Sequence, residues 1–371
     1  MIRTCTCVFL LLAATSIIVR ADATGTSLVP IETPNIYPDH RPAAKFRLAA
    51  TDAGIVLKHG DGPGGCDQLG ARDIWVWKDQ DTYYMHYDGA GPKGWLACLA
   101  TSTDLTHWTK KGPVLDFGAP GSDDSASASY GTTYLDDSSA DKTWYMFYLG
   151  TPHASPAPDF VPGFPYLTRI ATAPAPTGPW TKQPKIIPFQ VKPDTYYAGT
   201  ASPGQIIKKD DEYLMFFSAS ASNPVKRTLS IARTRDLTHP WTIQSRPIVS
   251  IEEQVENTSL YFEPTNQTWF LFTNHIGLAS HEFTDAIWVY WSQDLEHWDA
   301  SHKAIVFDGT NCKWSRQCIG LPSVVQVGSR LAIFYDAPGG DNTIHMGRDV
   351  GLAWLDLPLN PSVPSSPPPN P

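Results

Sequence analysis

Positive charge is in short supply. Lys and Arg number 28 against 37 Asp and Glu, a formal net charge of −9 over 371 residues. A nucleic-acid partner needs a basic footprint to neutralise phosphates, so none is expected. Charged residues of both signs are only 18% while aromatics reach 12%, which excludes a disordered chain. Long apolar runs are missing too. The longest, VFLLLAATSIIV (residues 8–19), is too short to span a bilayer, so no membrane partner is expected. It follows Arg3 and precedes Ala21-Asp22-Ala23, the pattern of a secretory signal over residues 1–23, cut before Thr24. The expectation is a secreted protein.

Cysteine is scarce as well. Cys5 and Cys7 leave with the signal, and Cys66, Cys98, Cys312 and Cys318 remain. An even number in an exported chain suggests two disulfides, for which Cys66–Cys98 with Cys312–Cys318 is the local choice among three pairings. No cysteine or histidine spacing suits zinc, and G-x-S-x-G, H-E-x-x-H and the P-loop are all absent. No cofactor is expected.

Proline (33) and glycine (27) are plentiful, which implies many turns and few long helices. A phrase ending in Trp recurs: ATSTDLTHW (100–108), ATAPAPTGPW (171–180), ARTRDLTHPW (232–241), YWSQDLEHW (290–298) and, more weakly, GRDVGLAW (347–354). Each follows an aromatic, β-branched strand phrase: DTYYMHY, KTWYMFY, DEYLMFF, QTWFLFT and SRLAIFY. A further short strand and turn precedes each of those. About four short strands, five times over, predict an all-β chain: a five-bladed β-propeller of four-stranded antiparallel blades. A two-sheet sandwich is the alternative, but it supplies no reason for a period of about 60 residues. Residues 66–357 form the propeller. Residues 24–65 are a lead-in, of which GIVLK (54–58) could supply a ring-closing strand. Residues 358–371, PLNPSVPSSPPPNP, read as an extended tail unable to pack.

The five-fold phrase and S-x-D-L-x-x-W resemble the five-bladed propeller glycoside hydrolases: family 43 with its relatives, families 32, 62, 117 and 130. The resemblance spans about residues 66–355. It implies a carbohydrate substrate and a pocket on the propeller axis, where the innermost strands begin. Glycoside cleavage needs two carboxyl groups there. Asp73, in GARDIW, stands where family 43 places its general base, although the Pro that follows in that family is Ile74 here. Asp67 competes with it, and turn capping is the plain alternative for either. Glu256, in ENTSLY, is similar in position to the family's general acid, against a solvated rim position beside Glu252 and Glu253. The resemblance implies an inverting reaction.

Blade three departs from the family. Ser202 occupies the place of the Asp that tunes the acid's pKa, and Asp194 is the nearest acid. Asp124, in SDDS, could substitute for it or serve a turn. Arg72 could tune Asp73 or bind an acidic substrate. His275 is a candidate pocket histidine, and His86 fits either a buried core position or a ligand. A structural calcium is compatible with such a fold, but no ligand cluster marks one. Asn257-Thr258-Ser259 and Asn266-Gln267-Thr268 are glycosylation sequons, and a glycan on Asn257 would obstruct the pocket. The other readings are a glycoside phosphorylase or retaining transferase on the same scaffold, and a non-catalytic carbohydrate-binding propeller.

Overall fold

The computed structural model describes residues 25–138, 142–278 and 281–362; the signal-like segment and the end of the tail lie outside it. Apart from two single 3-10 turns, Pro63–Gly65 and Ile251–Glu253, the described residues are strands and loops. None of their helices is long and apolar enough to cross a membrane.

Five four-stranded antiparallel units succeed one another. Blade one is Gly70–Asp79, Thr82–Gly91, Gly94–Ser102 and Thr109–Pro113. Blade two is Ser127–Asp136, Thr143–Thr151, Tyr166–Ala173 and Thr181–Lys182. Blade three has an interrupted inner strand, Thr200–Ser202 then Ile206–Lys209, followed by Glu212–Ser222, Val225–Thr234 and Thr242–Ile243. Pro203 falls in the interruption, where its missing N–H breaks no ladder. Blade four is Val255–Glu263, Thr268–Gly277, Phe283–Ser292 and Lys303–Asp308. Blade five is Gly320–Val327, Arg330–Ala337 and Asp349–Asp356, and its outer strand is Thr51–Leu57 from the other end of the chain.

The recurring Trp explains why the units close into a ring. In the S-x-D-L-x-x-W phrase the Asp caps a turn: Asp104 accepts from the Thr106 and His107 amides, and Asp294 from those of Glu296 and His297. The turn buries Leu105 and Leu295 and swings Trp out of its own blade onto the preceding one. Trp180 of blade two meets His86 of blade one, Trp241 meets Phe147 of blade two, and Trp298 meets Phe216 of blade three. Trp108 of blade one meets Phe334 of blade five at 5.7 Å between centroids, which completes the circle. Each Trp buries about 150–250 Å², an upper figure of about 4–6 kcal/mol per contact. His86 is therefore a core residue: fully buried, with Nδ1 at 3.2 Å from the Gly131 carbonyl oxygen and burial pushing its pKa down to about 3.

The inner strands are seamed by hydroxyl side chains. The Ser323 and Ser259 Oγ atoms accept from the amides of Val76 and Val324 on the neighbouring blades, at 2.9 and 3.0 Å, and Thr132 donates to Gly204. The lead-in adds two short strands beyond blade four, Val29–Pro30 and Phe46–Arg47, and sends Leu28, Leu48 and Ala50 into the core shared by blades four and five.

Two expectations need correction. The segment from Pro358 is packed at its start: Leu359 is fully buried, and Leu359–Asn360 pairs in parallel with Thr26–Ser27. The four cysteines are all buried free thiols. Cys312 faces the Tyr335 hydroxyl while Cys318 accepts from Arg348 Nη2 at 3.0 Å, so the two point to different partners and the local pairing fails on direction. Cys66 and Cys98 do meet, thiol to thiol. Peptide mapping of the air-oxidised protein is expected to find Cys66 linked to Cys98, with Cys312 and Cys318 recovered as alkylated thiols. A Cys312–Cys318 peptide would contradict this geometry.

Candidate active site

Each inner strand begins with the same irregularity. In blade one Arg72 pairs with Asp88 and Trp75 with His86, so Asp73 and Ile74 on one strand face the single residue Tyr87 on the other. The same extra residue follows Glu256 in blade four and Gly320 in blade five, and interrupts the ladder near Tyr130 in blade two. Such bulges re-aim side chains at a sheet's end. They hold Asp73 (φ 47°) and Asn257 (φ 62°) in the left-handed region, a conformation that costs about 1–3 kcal/mol for a residue other than glycine. Strain of this kind sits where two of the candidate openings meet.

They meet in one cavity of about 90 Å³, lined by residues that include Arg72, Asp73, Asp88, Trp95, Tyr130, Tyr166, Ser202, Arg227, Glu256, Asn257 and His345. Asp73 and Glu256 keep 15% and 19% of their side chains accessible, the part that faces the cavity. Each carries an arginine. Arg72 pairs with Asp73 at 3.2 Å and lies over the Trp95 ring. Arg227 donates to Glu256 Oε2 at 2.6 Å and to Glu282 at 2.8 Å. Asn274 donates to the other Glu256 oxygen at 3.2 Å. The backbone amide of Asp73 donates to Asp336 Oδ2 at 2.9 Å, and Asp336 is itself paired with the fully buried Arg348.

The electrostatics separate these groups. Burial raises the pKa of Asp73, Arg72 opposes the rise, and the charges of Asp336 and Glu256 add to it. Burial raises Asp88 further still, with Asp73 adding to the rise. Asp88 Oδ1 accepts from the Tyr130 amide, while its Oδ2 is buried with no hydrogen-bond partner as an ionised group. That oxygen lies against the Asp73 carboxyl, and the contact becomes a hydrogen bond once Asp88 carries a proton. Asp88 is then the neutral donor and Asp73 the carboxylate. His345 accepts at Nδ1 from Arg72 (2.8 Å), so its proton sits on Nε2. Burial, then the charges of Arg72, Arg348 and Arg227, push its pKa down to about 3 and keep it neutral.

No family model and no curated protein sequence matches the chain. Solved structures do. One described as a glycoside hydrolase superposes with a TM-score of 0.62 at 15% identity, over 86% of this chain and 95% of that one. The catalytic domain of the Coprinopsis cinerea GH62 α-L-arabinofuranosidase does so at 0.59 and 14%, over 83% and 96%. The endo-arabinase from Bacteroides thetaiotaomicron VPI-5482 gives 0.56 and 14%, over 82% and 97%. The fold is that of the five-bladed β-propeller glycoside hydrolases.

Within this glycoside hydrolase fold, the cavity contains Arg72, Asp73, Ser202 and Glu256 of the residues singled out by sequence. It does not contain the others. Asp67 is fully buried and accepts from the Gly60 and Gly62 amides and from Lys110, so it ties down the loop before blade one. Asp124 accepts from Ser122, Tyr148 and Lys182, which fasten a turn and hold its pKa low against burial. Asp194 is exposed on a loop. His275 points away from Glu256 because neighbours along a strand face opposite sides: Asn274 reaches Glu256, and His275 stacks on Trp288 at 3.7 Å in a separate cleft. Among the described residues no group of three or more acids, histidines or cysteines is placed to hold a metal ion. The sequon at Asn257 is engaged internally: its Nδ2 donates to Asn274 and its Oδ1 accepts from Tyr130.

Asp88, Asn274, Arg227 and His345 were not singled out by sequence. Asp88 and Asn274 lie on second strands, directly across from Arg72 and Glu256. The one available signal was an acid closing an apolar strand, in MHYDG. Asp88 also makes stability depend on pH. Its raised pKa means that the folded protein keeps a proton the unfolded chain releases, so stability falls as pH climbs from the ordinary aspartate value through the raised one. Asp88→Asn mimics the protonated form. In urea unfolding the variant is expected to gain on the parent protein steadily as pH is raised from about 5 to about 8. A pH-independent difference would show that Asp88 is ionised throughout.

Proposed function

We propose that the protein is a glycoside hydrolase in which Asp73 acts as general base and Glu256 as general acid. The observation that carries this reading is the convergence of two carboxyl groups, from blades one and four, on one axial cavity in a fold shared with named glycoside hydrolases. Asp73 takes a proton from a water molecule whose oxygen attacks the anomeric carbon. Glu256 gives its proton to the departing glycosidic oxygen, and the carbon inverts. Protonating Glu256 leaves Arg227 paired with Glu282, so no isolated positive charge remains buried. Two hydrogen-bonded neighbours, Asp88 and His345, stay neutral around the Asp73–Arg72 pair.

A cavity of about 90 Å³ is well below the roughly 300–1,000 Å³ of ordinary ligand sites. Val161 and Pro162 line it, and this segment is held by Tyr166 donating to the Pro162 carbonyl and Trp95 donating to the Asp159 carbonyl. A sugar ring enters by displacing that segment. The named activities of the structural relatives make α-L-arabinofuranosides the first substrates to try, and the signal-like start of the sequence makes an exported enzyme the working assumption. The test is a reducing-sugar screen over polysaccharides and aryl glycosides with Glu256→Gln alongside, and proton NMR of the first-formed anomer for the stereochemistry. Ser202, in place of an acid in blade three, favours a second reading, a carbohydrate-binding propeller. Saccharide binding without turnover, unchanged by Asp73→Asn and Glu256→Gln, would establish that instead.

A further inference from the structure

A second and much larger opening, about 930 Å³, lies where residues 37–41 of the lead-in cross blade four. Its wall includes Tyr37 and Arg41 from the lead-in, His275, Phe283 and Asp285 from blade four, and Gln317 from the loop that leads to blade five. The volume is that of an ordinary small-molecule site. Its aromatic side chains suit the C–H face of a sugar ring, and its carboxylates suit hydroxyl donors. Asp285 keeps 24% of its side chain accessible although it holds Arg41 at 2.8 Å. Because Arg41 can only donate, the Nδ1 of a neutral His275 accepts from it, and Nε2 carries a buried N–H with no partner. Such a group calls for an acceptor oxygen.

The cations of the wall are already matched. Arg41 is held by Asp39 and Asp285, and Arg316 at the rim by Asp341. A negatively charged sugar finds no free positive partner among these, so the ligand is neutral. The place of the cleft relates it to the catalytic cavity. Glu282 reaches Arg227, the partner of Glu256, while the next residue, Phe283, faces the cleft. One strand end therefore separates the two openings.

We propose that this cleft is a second saccharide-binding site, which holds a neutral glycosyl unit of the same glycan whose bond is broken between Asp73 and Glu256. The inference rests on the hydrolase reading for its substrate and adds that the substrate is a chain or branched glycan rather than a free disaccharide. The narrow cavity receives the unit to be cleaved, and the wide cleft retains the remainder.

Native affinity electrophoresis in gels cast with arabinan or arabinoxylan tests it, in a Glu256→Gln background that leaves the polymer intact. Tyr37→Ala removes an aromatic wall. Gln317→Trp fills the cleft from an exposed position, so folding is not at risk. Tyr37→Ala is expected to weaken retardation about tenfold, the size of one lost aromatic contact, and Gln317→Trp to weaken it at least as much by occupying the space the glycosyl unit needs. In the active protein the same two changes are expected to raise KM on the polymer and leave kcat/KM on an aryl α-L-arabinofuranoside unchanged. Equal retardation of both variants and the parent, or no retardation in either gel, overturns the proposal. Retardation that depends on Tyr37 and Gln317 in a protein that hydrolyses nothing would retain the site and reject the hydrolase reading.

Discussion

Glu256→Gln and Asp73→Asn are each expected to lower kcat/KM about 10²–10⁴-fold, the usual contribution of a positioned acid or base. The two losses should differ in kind. A proton donor matters least when the leaving group departs well unaided, so the Glu256→Gln defect should shrink on nitrophenyl glycosides and be full on natural linkages. The Asp73→Asn defect should persist on both, because the base acts on the attacking water, which is the same nucleophile whatever the leaving group. The pH profile carries a further sign. Burial and the charges of Asp336 and Glu256 lift the Asp73 carboxyl above the ordinary aspartate range, so activity should fall on the acid side at a pH higher than a solvent-exposed aspartate would give. Matching defects on both substrate types, or no defect at all, would remove these residues from the roles assigned to them.

Arg348→Met is expected to destabilise the fold by about 3–5 kcal/mol, the cost of leaving one partner of a buried ion pair uncompensated. Arg348 and Asp336 are 1% and 0% accessible and lie 2.5 Å apart. Asp336 also accepts the Asp73 amide, so the pair joins blade five to the first strand of blade one. Arg348→Met/Asp336→Asn should recover much of the loss, since it removes the stranded charge and leaves a carbonyl oxygen for the amide. Urea unfolding at neutral pH reads both. A single variant as stable as the parent would mean that Asp336 takes up a proton when its partner goes.

The scaffold was legible because its signals are local and repeated. A Trp with a turn-capping Asp four or five residues earlier in three of the five phrases reports a contact between blades that any one phrase would leave unexplained. Asp73 and Glu256 were picked out by their resemblance in position to the acids of family 43, and both line the cavity. The rest of the site depends on register. Asp88 and Asn274 belong there because a bulge sets Arg72 and Glu256 across from them, and one residue of slip would turn them to the other face. Parity along one strand likewise separates Asn274, which serves Glu256, from His275, which does not. Asp67, Asp124 and Asp194 show the converse. An acid in a polar loop has the same appearance in sequence whether it serves a substrate or ties down backbone amides and lysines. The lead-in was equally opaque, since nothing in its composition shows that residues 37–41 would frame a cleft with blade four.

The outermost strand of the fifth blade comes from Thr51–Leu57, and Thr26–Ser27 lies beside Leu359–Asn360. Strands from the two ends of the described residues are thus knitted together. The edge that Thr51–Leu57 presents therefore has no partner strand until Asp349–Asp356 is in place, so the ring closes as a joint act of both ends and a cut near either one would loosen blade five first.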